Sequence, residues 1–457
     1  MYSVSSPGID NLQETLVEGS LSLSLQRTQV FTNGDIGLAP AWSNNITKDP
    51  VAMNSYESAV WRLFATLECS GVPRFTIDKQ LDNSETALFG GRENVAEGAS
   101  YRIATRFMRH KGQERLVAIK RIKQSLLAPG LAPHGQNSTA GLEIVQRDVE
   151  IMTRPQYQDI SGHPHVLSCL GYGWDVTSTE SSLFVVVPWA QHGTLRQFLQ
   201  KSDISYPTRF DIFNQICLGL RSLHRYDIAH GDVKMENILV FLRPHLETED
   251  GQRQYEESRR KYANVPPLSE NVNICLADFG CAVSSLNGKY TGTAAYNAPE
   301  VRSGTVNIPS PADQMAKFLK CDIFSCGLLF LEILLGGRSI ASNAMVQNMS
   351  CDSDGNLPAM EFARETVTEI LSRGWNPRSL DVAKDAFASI FGGTLMFDPA
   401  RRCSVDYLLR ELERSKWRYG PRTDLLFILE TGMGTNPGIG DHLNRMIMRF
   451  SRACFRP

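Results

Sequence analysis

The sequence has no marked excess of charge of either sign. Its 47 lysines and arginines face 49 aspartates and glutamates, which gives a formal net charge of -2 over 457 residues. Such a balance provides no bulk attraction for nucleic acid or for an anionic membrane. We therefore expect no nucleic-acid partner, and any membrane contact would need a local basic patch.

Paired cysteines and long hydrophobic runs are also missing. The ten cysteines include no Cys-x-x-Cys pair and no histidine partner at metal-ligand spacing, which is typical of structural thiols in a reducing compartment. The most apolar stretch, Ile323–Gly336, is too short to span a bilayer and contains Glu332. The first residues lack a basic segment followed by an apolar run, so we expect no signal peptide. These absences predict a soluble, cytoplasmic protein, and the nucleus is also allowed.

The region before residue 88 is predicted to be a partly ordered N-terminal extension. Residues 1–87 are rich in serine, asparagine and threonine and poor in cations. One helix is predicted near residues 54–69, where Asn54 and Glu57 resemble a capping box. Four apolar residues would share one face of it: Val60, Leu63, Phe64 and Leu67. We expect this helix to dock on the main domain, and partner binding is the alternative.

A change of periodicity near residue 88 predicts a sheet followed by helices. Strand-like runs occur at Ser100–Arg106, Leu116–Ile122 and Leu183–Val187. Helical periodicity dominates after residue 193, where one helix is predicted to end at His224. Four residues would share the buried face of that helix: Phe213, Ile216, Leu220 and Leu223. A small sheet-rich part followed by a larger helical part predicts two lobes with a cleft between them.

Two inserts and a C-terminal extension complete the predicted organisation. Gln124–Ala140 and Arg243–Asn271 have the proline, glycine or charge content of surface loops. Residues 413–457 form the extension, with a basic amphipathic helix predicted near 441–455. We expect that helix to pack on its own domain, and contact with a membrane or a partner protein is the less favoured alternative.

Five short motifs follow one another in a fixed order. Each is weak alone, but the set is hard to obtain by chance: Val117-Ala118-Ile119-Lys120, His230-Gly231-Asp232-Val233-Lys234-Met235-Glu236-Asn237, Asp278-Phe279-Gly280, Ala298-Pro299-Glu300 and Cys321-Asp322-Ile323-Phe324-Ser325-Cys326-Gly327. This set resembles the eukaryotic protein kinase family over about residues 88–412. The resemblance implies an α+β, two-lobed kinase fold. Its N-lobe, 88–189, would hold a small antiparallel sheet and helix C, and its larger C-lobe, 190–412, would be helical.

The resemblance implies a role for each residue type. Phosphoryl transfer requires positioned phosphates, neutralised charge and an aimed acceptor hydroxyl. Lys120 would contact the α- and β-phosphates of ATP, and Asp278 and Asn237 would supply the hard oxygen ligands that Mg²⁺ requires. Asp232 would orient the acceptor hydroxyl as catalytic base, while Lys234 would stabilise charge on the transferred group. Outside this set, either aspartate would more often be a turn or capping residue.

The remaining ATP contacts are carried over from the same resemblance. Ile103 and Ala118 would cover the adenine from above and Leu239 from below. Pro188 and Ala190 would form the hinge, where the donor is the Ala190 N–H and a proline at 188 is tolerable. The other expected nucleotide-binding residues are Ala96, Gly98 and Glu236.

The glycine-rich loop and the helix-C acid depart from the family pattern. Only Gly98 remains in the segment from Ala96 to Ile103, with Tyr101 expected at the loop tip, so we expect weaker or differently shaped ATP binding. Asp148 stands where the family has glutamate as the partner of Lys120. Because aspartate is one methylene shorter, Glu150 and Glu143 stay open as alternatives for that pair.

Gly231 replaces the arginine of the usual His-Arg-Asp motif, which places the chain among the non-RD type. Without that cation a phosphate on the activation segment lacks its main local partner. We therefore predict that activity does not depend on phosphorylation of four residues: Ser284, Ser285, Tyr290 and Thr291. Cys281 is expected to be a small buried residue, with reactivity as the alternative.

Two further features favour a protein substrate and one favours serine or threonine. Asp322 is expected to hold the catalytic-loop backbone, and Glu300 to form a buried ion pair with Arg402. Thr293, together with Lys234, favours serine/threonine specificity. The predicted function is ATP-dependent protein serine/threonine kinase activity with Mg²⁺. The alternative is a pseudokinase that serves as a nucleotide-binding or scaffold module in signalling.

Overall fold

The strand-like runs of the N-terminal part form one sheet in the computed structural model. The structure describes residues 55–77, 87–93, 95–110, 113–123, 126, 139–154, 165–176, 181–202, 204–243, 249–261, 271–284, 288–307, 313–372 and 377–418. The chain divides into two compact units: Met1–Thr153 with Cys169–Val187, and Arg154–Ser168 with Pro188–Pro457.

The described part of the first unit holds the sheet and the helices that pack with it. Its elements are α1 (Ser55–Cys69), β1 (Arg74–Ile77), β2 (Ala87–Phe89), β3 (Ala96–Glu97), β4 (Tyr101–His110), β5 (Gln113–Ile122), α2 (Ala140–Met152), β6 (Gly171–Val176) and β7 (Ser181–Pro188). The strand order is β2-β1-β6-β7-β5-β4-β3, and β2 also pairs with β4. The three predicted strands are confirmed as parts of β4, β5 and β7.

Antiparallel pairing dominates this sheet, as predicted, at β3–β4, β4–β5 and β6–β7. Strand β1 differs because it runs parallel to both β2 and β6. One side of the strands packs into an apolar cluster of Phe75, Leu88, Ala104, Met108, Val117, Ile119, Phe184 and Val186. Residues before 88 therefore contribute both strand pairing and core to the unit that contains Lys120.

Helix α1 docks on this unit, which confirms the sequence prediction. Val60, Leu63 and Leu67 are at most 2% exposed. The ring of Phe64 stacks on Trp174 with 5.1 Å between centroids. Because the apolar residues recur at helical spacing, one face of α1 is buried, while Trp61, Arg62 and Glu68 are exposed.

The second unit is mostly helical. Its elements are α3 (Leu195–Lys201), α4 (Tyr206–His224), β8 (Ile238–Leu242), α5 (Glu249–Lys261), β9 (Val272–Leu276), α6 (Pro299–Arg302), α7 (Gln314–Leu334), α8 (Ala344–Gln347), α9 (Pro358–Ser372), α10 (Pro377–Thr394) and α11 (Val405–Arg418). The predicted face of α4 is fully buried, and Phe213 stacks on Phe330 of α7 with 4.0 Å between centroids. Strands β8 and β9 form a separate antiparallel pair.

One prediction about the inserts is wrong. Arg243–Asn271 was expected to be a loop, but α5 occupies Glu249–Lys261 within it. Glutamate, glutamine, arginine and lysine favour helices even when no apolar stripe marks the period. The predicted cap at Asn54, most of the insert at Gln124–Ala140 and the predicted helix near 441–455 lie outside the described residues. Within the described residues, no helix has both the length and the apolarity needed to cross a bilayer.

Candidate active site

Lys120 of the first unit forms an ion pair with Asp148. Its Nζ lies 2.5 Å from Asp148 Oδ2, and the two side chains are 12% and 0% exposed. The competing acids are engaged elsewhere, since Glu143 accepts from Thr139 and Glu150 accepts from Gln146. Of the three candidates left open by the sequence, Asp148 is therefore the partner of Lys120.

The burial pattern of α2 explains how a shorter acid reaches the lysine. Val145, Val149 and Met152 lie on the buried face of α2 and are fully covered. Asp148 belongs to the same face, because residues three and four apart along a helix are neighbours. Burial of these apolar residues also buries the Asp148 carboxylate, which lies within reach of Lys120.

Tyr101 lies against the same lysine, which corrects its expected place at the loop tip. Lys120 Nζ is 4.2 Å from the centroid of the Tyr101 ring, and Tyr101 is 8% exposed. Strand register accounts for this position, because Ile103 pairs with Lys120 and Tyr101 is two residues away on the same face. An ammonium at this distance from a ring face is attracted by the ring's quadrupole.

The other predicted nucleotide residues of this unit lie on β3, β4 and β5 or in the turn between β3 and β4. Ala96 pairs with Ile103 across β3 and β4, and both ends of the turn are tied by the Gly98 N–H donating to the Tyr101 carbonyl at 2.9 Å. Ala118 lies on β5 and is 6% exposed. Ala118 therefore shares a strand with the lysine, Ile103 lies on the neighbouring strand, and the contact of all four residues with adenine remains a prediction.

In the second unit, Asp322 holds the catalytic loop as predicted. This carboxylate is fully buried and accepts backbone hydrogen bonds from His230 at 2.7 Å and from Gly231 at 3.0 Å. His224 Nε2, at the end of α4, lies 3.0 Å from the same carboxylate. Hydrogen bonds to a charged acceptor are among the stronger ones, so the loop that carries Asp232 is fixed from α7.

Asp232 lies at the centre of a polar cluster. Its Oδ2 accepts from Lys234 Nζ at 2.6 Å and from Asn237 Nδ2 at 2.9 Å, while its Oδ1 accepts from the Thr293 hydroxyl at 2.7 Å. Lys234 also donates to the Thr293 hydroxyl at 2.8 Å. The cluster thus brings together Asp232, Lys234 and Asn237, which the sequence placed in the catalytic set, and Thr293, which it related to specificity.

The electrostatics of this cluster keep Asp232 ionised. Burial by itself raises the pKa of the carboxyl, but hydrogen bonds from Lys234 and Thr293 outweigh it and hold the pKa below its ordinary value. The carboxylate is consequently a firm hydrogen-bond acceptor and a weak base at neutral pH. Such a group orients a hydroxyl well and takes its proton only late in the transfer.

Asn237 and Asp278 are neighbours through the β8–β9 ladder. Ile238 pairs with Leu276, and the Ala277 N–H then donates to the Asn237 carbonyl at 2.9 Å. Asp278 follows at once in the left-handed region, with φ 62° and ψ 70°. Because the amide nitrogen of Asn237 is used in bonds to Asp232, its amide oxygen is the end that suits a cation. One carboxylate and one amide oxygen match the ligand type that Mg²⁺ prefers.

The remaining predicted residues of the second unit have separate surroundings. Pro188 ends β7, and Ala190 is 8% exposed with its carbonyl accepting from the Gly193 N–H. Leu239 of β8 is half-buried and pairs with Cys275. The exposed Glu236 forms an ion pair with Arg196, which also donates to Tyr296 and Glu332.

The scaffold pair is confirmed, and it is bidentate. Arg402 Nη1 and Nη2 lie 2.6 and 2.8 Å from the two carboxylate oxygens of Glu300, and Arg402 is 2% exposed. Cys281 is half-buried, and burial, reinforced by the charges of Asp232 and Asp278, raises the pKa of its thiol. A thiol that remains protonated supports the structural interpretation of Cys281 over the reactive one.

A network around Glu332 was missed by the sequence reasoning. Arg196 Nη2 donates to the Tyr296 hydroxyl at 2.8 Å and to Glu332 Oε2 at 3.0 Å, and Tyr296 donates to the same oxygen at 2.6 Å. Burial, followed by the charge of Glu332, raises the pKa of Tyr296. The signal was present, because a carboxylate inside the most apolar stretch of the sequence requires a buried cation or donor.

Comparison with known families decides the class of the chain. The sequence profile of the family described as protein kinase domain matches residues 100–417. This chain belongs to that family. The five kinase motifs, from Val117 to Gly327, all lie inside the matched range.

Individual relatives of the kinase are distant. It is 23% identical over 278 residues to activin receptor type-2A of Ovis aries, covering 56% of this chain and 45% of that one. Against the Homo sapiens activin receptor type-2A the identity is 25%, with 49% and 40% covered. Against the phosphorylase b kinase gamma catalytic chain, liver/testis isoform, of Bos taurus, it is 22%, with 72% and 69% covered. The matched part of this kinase spans less than half the length of the activin receptors.

Proposed function

We propose that this kinase domain transfers the γ-phosphoryl group of ATP to a serine or threonine hydroxyl of a protein substrate. The observation that carries the proposal is the cluster in which Asp232 accepts hydrogen bonds from both Lys234 and Thr293. This arrangement combines an ionised acceptor for the substrate hydroxyl with a cation for the transferred charge. The full set of charged residues that phosphoryl transfer requires supports activity in this chain.

The roles follow from the surroundings of each residue. Lys120, oriented by Asp148, would contact the ATP phosphates. Asp278 and Asn237 would hold Mg²⁺, which when bound neutralises phosphate charge and aligns the phosphates. Two protein ligands are few for this ion, which usually completes its shell with water and phosphate oxygens.

Asp232 would accept the hydrogen bond of the attacking hydroxyl. Because its pKa lies below the ordinary value, the proton moves to it only when the new bond to phosphorus has largely formed and the bond to the departing ADP has largely broken. Lys234, which already bridges Asp232 and Thr293, would stabilise negative charge on the phosphoryl group. The position of Thr293 beside both residues supports serine and threonine acceptors over tyrosine.

One observation favours a second candidate function. The ring of Tyr101 lies against Lys120 at the position where the family motif has its third glycine. If the ring prevented phosphate from reaching the ammonium, the domain would act as a pseudokinase that presents a binding surface. The pairing of Lys120 with Asp148, and the presence of Asp232, Asn237 and Asp278, make activity the better supported proposal.

The test is transfer of radiolabelled phosphate from ATP·Mg²⁺ to a generic basic protein. Wild type is compared with Asp232→Asn, and Asp227→Asn serves as the matched control. Asp227 is exposed and has a positive φ of 53°, which asparagine tolerates, so this control makes the same chemical change outside the site. Nucleotide-induced thermal shift is measured for all three proteins.

We expect transfer by wild type and by the control, and a loss of several orders of magnitude in Asp232→Asn with the ATP shift retained. No transfer by wild type, with ATP·Mg²⁺ still raising the melting temperature, would support the pseudokinase. Absence of both transfer and thermal shift would overturn ATP binding and leave a scaffold.

A further inference from the structure

A buried tyrosine joins the activation segment, defined here as residues 278–300, to the carboxylate that holds the catalytic loop. The Tyr290 hydroxyl donates to Asp322 Oδ1 at 2.9 Å, and Tyr290 is 1% exposed. Burial, reinforced by the charge of Asp322, raises the pKa of the tyrosine well above its ordinary value. The hydroxyl therefore remains a donor throughout the physiological pH range.

The same carboxylate receives hydrogen bonds from two separate parts of the site. His230 and Gly231 of the catalytic loop donate their backbone N–H groups to Asp322, and Tyr290 adds its side-chain hydroxyl. Asp322 is fully buried, and a buried carboxylate requires several donors to offset its lost hydration. The activation segment and the catalytic loop are thus fixed to one point on α7.

The activation segment also passes directly against Gly231. Gly231 has a φ of 77°, and a β-carbon built there would lie 2.1 Å from the Cys281 carbonyl oxygen. A β-carbon on Gly292 would lie 2.9 Å from the Gly231 carbonyl oxygen. Ala229 and Val283 exchange backbone hydrogen bonds of 2.9 Å nearby. Backbone of the activation segment fills the space beside residue 231, so a side chain has no room there.

Thr293 lies three residues beyond Tyr290. Its hydroxyl contacts both Asp232 and Lys234, so the position of this part of the segment decides whether the catalytic cluster is complete. Asn297 adds a second brace, because its side chain donates to the Thr291 carbonyl at 2.7 Å. In kinases that are switched by phosphorylation, new arginine–phosphate pairs order this segment. Here neutral hydrogen-bond donors occupy the corresponding role.

We propose that Tyr290 is a positioning residue whose hydroxyl holds the activation segment in its active arrangement without phosphorylation. The proposal rests on the kinase function proposed above. It gives a physical reason for the predicted independence of phosphorylation and removes Tyr290 itself from the set of modification sites, because a hydroxyl buried against a carboxylate is closed to another enzyme. Ser284 and Thr291 are exposed and remain modifiable.

The decisive variant is Tyr290→Phe, which removes the hydroxyl and keeps the ring that stacks near Phe318, with 6.1 Å between centroids. Tyr226→Phe makes the same change at a 53% exposed position and serves as the matched control. For each protein kcat and KM are measured separately for ATP and for the protein substrate. Hydrogen exchange of residues 288–297 is followed by mass spectrometry.

We expect kcat/KM for the protein substrate to fall roughly ten-fold in Tyr290→Phe, as loss of one hydrogen bond to a buried charge implies. KM for ATP should stay unchanged, and exchange at 288–297 should become faster while the control matches wild type. A merely structural role would lower the melting temperature without faster exchange confined to residues 288–297. It would also lack the fall in kcat/KM that is specific to the protein substrate.

A second measurement does not depend on the folding of the variant. Wild type treated with phosphatase until mass spectrometry detects no phosphate should keep its kcat, as should the combined Ser284→Ala, Ser285→Ala and Thr291→Ala variant. Loss of activity in either preparation would overturn the proposal, and so would wild-type kinetics with wild-type exchange in Tyr290→Phe. If wild type transfers no phosphate, the proposed function fails, but the exchange comparison still tests the tether.

Discussion

Restoring the family's usual glutamate at position 148 should impair this kinase. Asp148 is fully buried among the apolar residues of α2, and its carboxylate already lies 2.5 Å from Lys120 Nζ. Asp148→Glu adds one methylene to a side chain that is fully buried. The pair can then be kept only if α2 moves away from the sheet or the longer side chain adopts a strained rotamer.

The expected magnitude follows from this burial. Inserting a methylene into a packed core costs typically about 1–3 kcal/mol, which lowers the melting temperature by roughly 2–4 °C per kcal/mol in domains of about 150–250 residues and by less in a larger one. Displacing Lys120 from its place on the sheet should also lower kcat/KM by about ten- to hundred-fold, because small misplacements of positioning residues are costly. Both effects should occur together, since one movement causes them.

Thermal unfolding and steady-state transfer assays measure the two effects. Asp406→Glu makes the same chemical change on an exposed helical residue of α11, and we expect its stability to stay within about 0.5 kcal/mol of wild type. If Asp148→Glu retained the melting temperature and raised kcat/KM, the packing argument would be refuted. The aspartate would then be a defect that the fold merely tolerates.

Three further predictions concern other parts of the site. Tyr101→Leu should raise KM for ATP roughly five-fold, because it removes about 1 kcal/mol of cation–π stabilisation from Lys120. Tyr101→Phe keeps the ring and should match wild type. A lower KM for ATP in the leucine variant would show instead that the ring competes with phosphate. Glu300→Gln should cost about 3–5 kcal/mol in urea unfolding because it leaves buried Arg402 without its charge partner, and a loss below about 1 kcal/mol would contradict this. Thr293→Val removes a hydrogen bond that lowers the pKa of Asp232, so that pKa should rise. The acidic limb of the kcat–pH profile reports protonation of this carboxylate and should therefore move to higher pH. An unmoved limb would show that Thr293 does not affect the pKa of Asp232.

Periodicity predicted much of the fold, and its failures have physical causes. The apolar spacing of α1 and α4 marked both helices and their buried faces correctly. Helix α5 escaped notice because its charged residues form a helix without burying an apolar stripe. The parallel pairing of β1 was also beyond the sequence, since four residues carry no signal of which strand they will join.

The sequence named candidate site residues but did not give their geometry. The motifs placed Lys120 and Asp232 in the site, but a choice among three acids for the lysine required the burial of α2. Alignment with a glycine motif placed Tyr101 at the loop tip, but strand alternation puts its side chain on the same face as Ile103, beside Lys120. Tyr290 was treated only as a modification site, because sequence does not show that its hydroxyl reaches Asp322.

Contact between α1 and α2 links the region before the kinase motifs to the ion pair of Lys120 and Asp148. Gln146, two residues before Asp148 on α2, donates to Thr66 of α1 at 2.9 Å. Consider a ligand that binds residues 1–54 more tightly when α1 is docked. Through the contact between the helices, it would also favour the position of α2 that pairs Asp148 with Lys120. Reciprocity then requires that a nucleotide which selects the paired lysine also strengthens the docking of α1.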